Sequence, residues 1–287
     1  MKSKLMSCLF AVLTVFCLSS CYKIDKGKSI TAVGSSSLQP LVETEAESFS
    51  NIHLKKFVLV QGGGSGTGLA QIQSGAVQIG NSDMFAEEKS GIDASKLVDH
   101  KICVVGIAPV VNKYANVKNL TLDQLRDIFS GQILRWKEVG GRDIPIVLIN
   151  RASGSGTRLT FEKCVMNGEP SHVAQEQDSS GMVRQIVKST PGAISYLAFS
   201  YISGDVVKLN IDGIKPTKKN VAQGKWPIWS YEHMYTKGKP KLKSLTKEFL
   251  AYVTSSDVQN TIVKKLGYVP MTAMKVKRNA DGQVVKK

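Results

Sequence analysis

The chain has 287 residues, 42% of them hydrophobic, with 38 Lys and Arg against 23 Asp and Glu and a formal net charge of +15. That length accommodates one large domain or two ordinary ones. The basic residues gather at 215–225, 237–247 and 275–287, mostly as lysines in polar segments without a nucleic-acid motif. This speaks against nucleic acid as the partner and leaves a general bias towards anionic solutes.

Lys2 and Lys4 precede an apolar run from Leu5 to Leu18, which ends in Leu18-Ser19-Ser20-Cys21. A basic start, a short apolar core and small residues at the end predict a signal peptide over 1–20. The run is too short for a comfortable membrane span. The ending resembles a bacterial lipobox, with Cys21 as the lipidated first residue of the mature chain and 21–28 as its tether. An uncleaved anchor is the alternative, and both readings put the domain outside the cytoplasm. Cys103 and Cys164 remain and read as buried, unpaired thiols in different lobes.

From Ser29 the pattern predicts strand 29–33, a hydroxyl-rich loop at Gly34-Ser35-Ser36-Ser37, and an amphipathic helix over 38–49 with Pro40 in its first turn. Strand 54–60 then runs into Gln61-Gly62-Gly63-Gly64-Ser65-Gly66-Thr67-Gly68 and a helix from Leu69. A short strand, 77–80, ends in Asn81-Ser82-Asp83. A carboxylate beside an anion site repels a fully charged ligand but accepts a hydrogen bond from a protonated one. Asp83 has an equal claim as a helix cap or turn residue.

Residues 102–111 form a long apolar run. Helix 120–129 opens on a Thr121/Gln124 capping box and closes at Gly131. Apolar residues 144–149 lead into Asn150-Arg151-Ala152-Ser153-Gly154-Ser155-Gly156-Thr157-Arg158, and helix 159–166 follows. Glycines bare the backbone N–H groups, the helix start leaves N–H groups unpaired, and Ser155, Thr157 and Arg151 add donors. Together they describe a socket for a small oxyanion. No P-loop pattern is present. A polar surface loop (168–180), helix 180–189, strands 193–197 and 206–209, a returning strand 228–235, and helices 244–253 and 256–266 complete the pattern. The polar end, 275–287, is expected to fray.

Taken together, the loops at 34–40, 61–68, 79–83 and 151–157 resemble the four anion loops of the phosphate-binding lipoproteins of bacterial ATP-driven phosphate importers. The stretches at 128–131, 136–141, 191–196 and 267–271 are similar to the same family's scaffold, so the resemblance covers 29–273 in order. It implies an α/β, two-lobed periplasmic-binding-protein-like fold of type II. Mixed sheets would be flanked by helices, with a ligand cleft between the lobes. Lobe 1 would comprise 29–109 and 226–274, lobe 2 would span 110–225, and a polar tail would follow at 275–287.

The resemblance further implies that Ser36, Ser37, Ser65, Ser155, Gly156 and Thr157 donate to phosphate. Asp83 would accept its proton and Arg151 would make the one charge-assisted contact. Ser153 stands where some relatives carry an aspartate beside the arginine. Implied partners are inorganic phosphate, the permease subunits of an ABC importer and, through the lipid, the membrane. A monomer without cofactor or metal is expected. Another tetrahedral oxyanion, sulfate or molybdate, is the alternative ligand. A secreted phosphatase is disfavoured, because His53, His100, His172 and His233 lie in separate segments without ligand spacing.

Overall fold

The computed structural model describes residues 29–204 and 206–287. The expected leader (1–20), Cys21 and the tether (21–28) lie outside the described residues. Strands β1 (Ser29–Gly34), β2 (Phe57–Gln61) and β3 (Ile79–Ser82) alternate with helices α1 (Gln39–Ile52) and α2 (Ser65–Ser74). The long strand β4 (Leu97–Val111) leads to β5 (Asn119–Leu120), α3 (Leu122–Ser130), β6 (Val147–Arg151) and α4 (Gly156–Val165). Then come β7 (Gln175–Gln177), α5 (Ser180–Ser189), β8 (Ala193–Ala198), β9 (Val207–Lys208), β10 (Asn210–Ile211) and α6 (Lys218–Ala222). The returning strand β11 (Trp229–Lys237) is followed by α7 (Leu245–Val253), α8 (Ser256–Val258), β12 (Val269–Pro270), β13 (Val276–Arg278) and β14 (Val284–Lys286).

Helices α1, α3, α5 and α7 form where the apolar spacing expects them, whereas α2 and α4 begin earlier, at Ser65 and Gly156. Helix α6 falls where the spacing predicts no helix, and the expected helix 256–266 is α8 followed by a π-helical turn at Gln259–Val263. In α1, Leu41, Val42, Glu45, Ala46 and Phe49 are buried on one face, and Phe49 meets Phe249 of α7 edge-on at 5.4 Å. The capping box of α3 closes as expected, with Thr121 Oγ1 accepting from Gln124 N–H and Gly131 left-handed at φ 80°. Phe161 of α4 stacks on Tyr196 of β8 at 4.1 Å.

One sheet runs through both lobes, in the order β2-β1-β3-β11-β4-β8-β6-β7. Pairing is parallel among β1, β2 and β3 and among β6, β7 and β8, and antiparallel around β4 and β11. Strand β4 is shared. Its Leu97–Gly106 portion pairs with β11, and its Ile107–Val111 portion pairs with β8. The returning chain is bonded to the same point: Ile107 N–H donates to Ile228 O at 3.0 Å, and Trp226 Nε1 donates to Ile107 O at 2.8 Å. The two crossings between the lobes are thus tied together at Ile107.

Three stretches depart from expectation. Strand β4 begins at Leu97 rather than near Ile102, because Asp99, His100 and Lys101 pair with β11 on a half-exposed edge that periodicity does not register. The polar loop 168–180 contains β7, which pairs in parallel with β6. The end of the chain is an ordered hairpin, β13–β14, rather than a frayed tail. Arg278 stacks over Trp229 at 4.4 Å and donates to Pro227 O and Trp229 O, which pins the hairpin to the return crossing. The Asp281-Gly282 pair, with Gly282 at φ 86°, is a hairpin-turn signal the composition concealed. Both remaining cysteines are free thiols. Cys103 is buried, whereas Cys164 is only half-buried, beside Arg278.

Helix α2 lies hard against β1 and β3 through Gly68. A Cβ there would meet Asn81 O at 2.5 Å, Val33 O at 2.7 Å and the Cα of Gly34 at 2.9 Å, all of them backbone. Alanine in a helix ordinarily gains about 1 kcal/mol over glycine. Here overpacking of about 1–3 kcal/mol outweighs it. Gly68→Ala is therefore expected to lower the melting temperature by several degrees, at about 2–4 °C per kcal/mol for a chain of this size. An unchanged or raised value in a circular-dichroism melt would remove the claim of close approach.

Candidate functional site

Four helix N-termini meet in the cleft. The turn before α1 carries Ser36 and Ser37, α2 opens at Ser65, α4 opens at Gly156-Thr157, and α5 opens at Ser180. Two belong to each lobe. Each presents the partial positive end of its peptide dipoles without adding a full charge, which suits a small anion. Gly64 before α2 is at φ 85° and Gly154 before α4 at φ 91°, turns that side-chain-bearing residues rarely adopt.

Asp83, at the end of β3, is the hub. It is 1% exposed. Its Oδ1 accepts from the Ser65 hydroxyl. Its Oδ2 accepts from Ser37 Oγ at 3.0 Å and from Thr157 Oγ1 at 2.7 Å. The Asp83 N–H donates to Ser65 Oγ at 3.0 Å. Thr157 comes from the opposite lobe, so this carboxylate is a clasp as well as an acceptor. A second bond across the cleft runs from Gly66 N–H to Gly154 O at 3.0 Å. A carboxylate has about four lone-pair positions, and three hydroxyls occupy them here. The Gly156 backbone packs against Oδ1.

Arg151, at the end of β6, is likewise 1% exposed. Its Nε donates to Gln177 O at 3.2 Å, and its Nη2 donates to Asp178 O at 2.8 Å and to Ser36 Oγ at 3.1 Å. Its Nη1 donates to Ser180 Oγ at 3.1 Å. The end of the short strand β7 and the residue after it thus deliver two carbonyls to the guanidinium. Burial pulls Arg151 down from its ordinary value, and the charge of Asp83 opposes that. The side chain stays cationic, since guanidinium holds its proton in proteins. Ser153, in place of an acidic neighbour, is exposed. Arg151 is balanced by carbonyl dipoles and Asp83 instead.

The remaining expected residues fall in the same cluster with different tasks. Ser36 Oγ joins Arg151 to the α5 start, 3.3 Å from both the N–H and the hydroxyl of Ser180. The Ser37 N–H is engaged by Ser35 Oγ at 3.2 Å, so Ser37 brings its hydroxyl rather than its N–H. Ser155 caps α4 by accepting from Arg158 N–H. Gly156 sits directly on the hub: a Cβ would fall 2.2 Å from Asp83 Oδ1 and 2.6 Å from Ser65 Oγ.

Sequence reading missed Ser180, although Ser179-Ser180-Gly181 repeats the hydroxyl-glycine helix start. It also missed the supports beneath the loops. The Tyr201 hydroxyl donates to Ser36 O at 2.8 Å, the Tyr268 hydroxyl donates to Ser37 O, and Glu232 touches Ser37. Burial pushes the Tyr201 phenol up to about 12, so it stays a donor. A cavity of about 610 Å³ shares only Asp83 with this cluster, and a second of about 370 Å³, between the α2 and α4 loops, shares Gly66, Gly154 and Ser155. The tightly bonded cluster, with the second cavity beside its Ser155, is the candidate for a small oxyanion, since its hydroxyl donors converge. Among the described residues, no group of three or more His, Cys, Asp or Glu could hold a metal ion.

Known proteins resemble this chain along most of its length. Residues 24–257 match the PBP superfamily domain. A phosphate-binding protein PstS of Bacillus subtilis is 53% identical over 256 residues, covering 89% of this chain and 85% of that protein. The chain belongs to this family. A structure from Clostridium perfringens, described as a phosphate ABC transporter substrate-binding protein with bound phosphate, is 31% identical. It superposes with a TM-score of 0.79 over 85% of this chain and 99% of that one. An ABC-type phosphate transport receptor from Vibrio cholerae is 26% identical, with a TM-score of 0.67 over 84% and 99%. As in other members of the superfamily, this chain has two α/β lobes on a mixed sheet flanked by helices.

Gly156 makes closure a local steric matter. Gly156→Ala is expected to leave α4 intact, because alanine suits a first helical turn, while the added methyl holds Thr157 away from Asp83. The radius of gyration from small-angle X-ray scattering should rise relative to the parent, with the melting temperature within a few degrees. Superimposable scattering curves would contradict the assignment of Gly156 to the closing contact.

Proposed function

We propose that this chain captures inorganic phosphate outside the cytoplasm and delivers it to an ABC importer, acting as a binding receptor and not as an enzyme. The observation that carries the reading is the Asp83 hub: a buried carboxylate ringed by hydroxyls among helix N-termini. Phosphate near neutral pH carries at least one P–O–H. It donates that hydrogen to Asp83 and takes hydrogen bonds on its other oxygens. Sulfate has no hydrogen to give, so its oxygens would face carboxylate lone pairs in a dry site, at a cost of several kcal/mol on the order of an unpaired buried ion contact. Molybdate meets the same obstacle.

In this reading Ser36, Ser65, Ser155, Gly156 and Thr157 turn neutral hydroxyl or N–H donors to the ligand, Ser65 and Thr157 leaving Asp83 to do so. Ser37 stays bonded to Asp83, Arg151 supplies the charge, and Asp83 receives the proton. The ligand joins α2 of one lobe to α4 and α5 of the other, so binding favours the closed state. The relatives' names, phosphate-binding protein and phosphate transport receptor, support the same substrate. The basic leader and the Leu18–Cys21 ending support export, lipidation at Cys21 and presentation to permease subunits at the membrane surface.

Calorimetry with phosphate, arsenate and sulfate tests the reading. Phosphate and arsenate, which share a protonation pattern, are expected to bind, and sulfate to bind at least about tenfold more weakly, equivalent to 1.4 kcal/mol. Comparable heats for all three would overturn it. Arg151→Lys keeps a charge but cannot hold the Gln177 and Asp178 carbonyls and both serines at once. Phosphate affinity should drop by about tenfold or more, and an unchanged value would remove Arg151 from the site.

A further inference from the structure

Beneath the hub lies a second carboxyl that the anion loops do not account for. Glu232, on β11 next to a register shift, is 0% exposed. Its Oε1 is 2.8 Å from Ser37 Oγ, and its Oε2 has no partner. The same Ser37 Oγ is 3.0 Å from Asp83 Oδ2 and 2.9 Å from Ser35 Oγ. A serine hydroxyl has one hydrogen and two lone pairs. It cannot donate to both carboxylates, so one of the two contacts requires a hydrogen supplied by the other side.

The surroundings decide which side. Asp83 has the Ser65 and Thr157 hydroxyls and the field of Arg151. Glu232 has none of these. The titratable groups that interact with it are Asp83 from the end of β3, Cys103 from β4, Tyr268 before β12 and Tyr201 after β8, with Glu45 of α1 alongside through Cys103. No cation is among them. Burial, and then the charge of Asp83, push the Glu232 carboxyl well above the usual carboxylate range. An ionised Glu232 would also put two anions on one hydroxyl in a dry site, which is strongly unfavourable.

We infer that Glu232 is a neutral acid that donates its O–H to Ser37 Oγ and so aims the Ser37 hydrogen at Asp83, making it a positioning residue for the anion site. The chain of donors runs Glu232 O–H to Ser37 Oγ, then Ser37 O–H to Asp83 Oδ2. Each atom donates once, and the Asp83 carboxylate keeps its charge. In the phosphate reading that leaves Oδ1, which Ser37 does not touch, as the oxygen for the ligand's proton. This inference rests on the phosphate reading for its consequence, but the protonation state of Glu232 does not.

Infrared spectroscopy of the ligand-free protein at neutral pH reads that state directly. The spectrum should contain the carbonyl stretch of protonated buried carboxyls, and the component lost in Glu232→Gln should differ from the one lost in Glu45→Gln, the other fully buried acid. Phosphate titrations then follow the consequence. Glu232→Gln, whose amide N–H still donates to Ser37, should bind within about threefold of the parent, and Glu232→Leu, which has no donor, about tenfold more weakly. Should leucine disturb the folded state by near-ultraviolet circular dichroism, the infrared difference decides alone. An infrared spectrum unchanged by Glu232→Gln, or equal phosphate affinities in folded Gln and Leu variants, would overturn the inference. A parent protein that binds no phosphate would instead overturn the functional reading, leaving the infrared band to judge Glu232.

Discussion

The constraint on which the rest depends is the burial of one carboxylate at the seam between two lobes. Asp83 is out of water, and its negative charge is tolerable there only because hydroxyls from three separate loops point at it. Those loops belong to the starts of α1, α2 and α4. The same contacts that satisfy Asp83 therefore bring the lobes together. Glycine at 156 follows from this, since any side chain would occupy the space the carboxylate needs. So does the arrangement of Arg151, whose charge balances Asp83 formally while the Gln177 and Asp178 carbonyls and two serines fix its direction.

A site built this way sorts anions by hydrogen as well as by charge. Helix N-termini and hydroxyls attract any small oxyanion. In the proposed function the carboxylate rejects one that cannot donate. Lysine-rich surfaces contribute little to that choice, because screening weakens them beyond about 10 Å. The scaffold behind the loops keeps the donors in register: Tyr201 and Tyr268 hold the Ser36 and Ser37 carbonyls, and two crossings meet at Ile107.

Much of this was legible before any coordinates. The strand-loop-helix sockets at 34–37, 61–68 and 150–158 announce themselves by glycine and hydroxyl content, and Asp83 stands out because an acid is out of place among them. What stayed hidden depends on tertiary placement. Ser180 looks like an ordinary helix start until β7 and β6 pair and bring it to Arg151. Glu232 sits in the polar-apolar mixture Tyr231-Glu232-His233, and nothing local tells that its strand runs beneath Ser37. The terminal hairpin escaped notice because its stability comes from a guanidinium over a distant indole rather than from its own apolar residues.

The central claim is that the Asp83 carboxylate selects a protonated oxyanion. Paired titrations of phosphate and sulfate at one fixed pH, on the parent and on Asp83→Asn, test it most directly. An amide donates where the carboxylate could not, so the preference for phosphate over sulfate should shrink by more than about tenfold in the variant, while phosphate affinity falls only moderately. An affinity ratio that is the same in both proteins would contradict the account and leave Asp83 as a clasp between the lobes and nothing more.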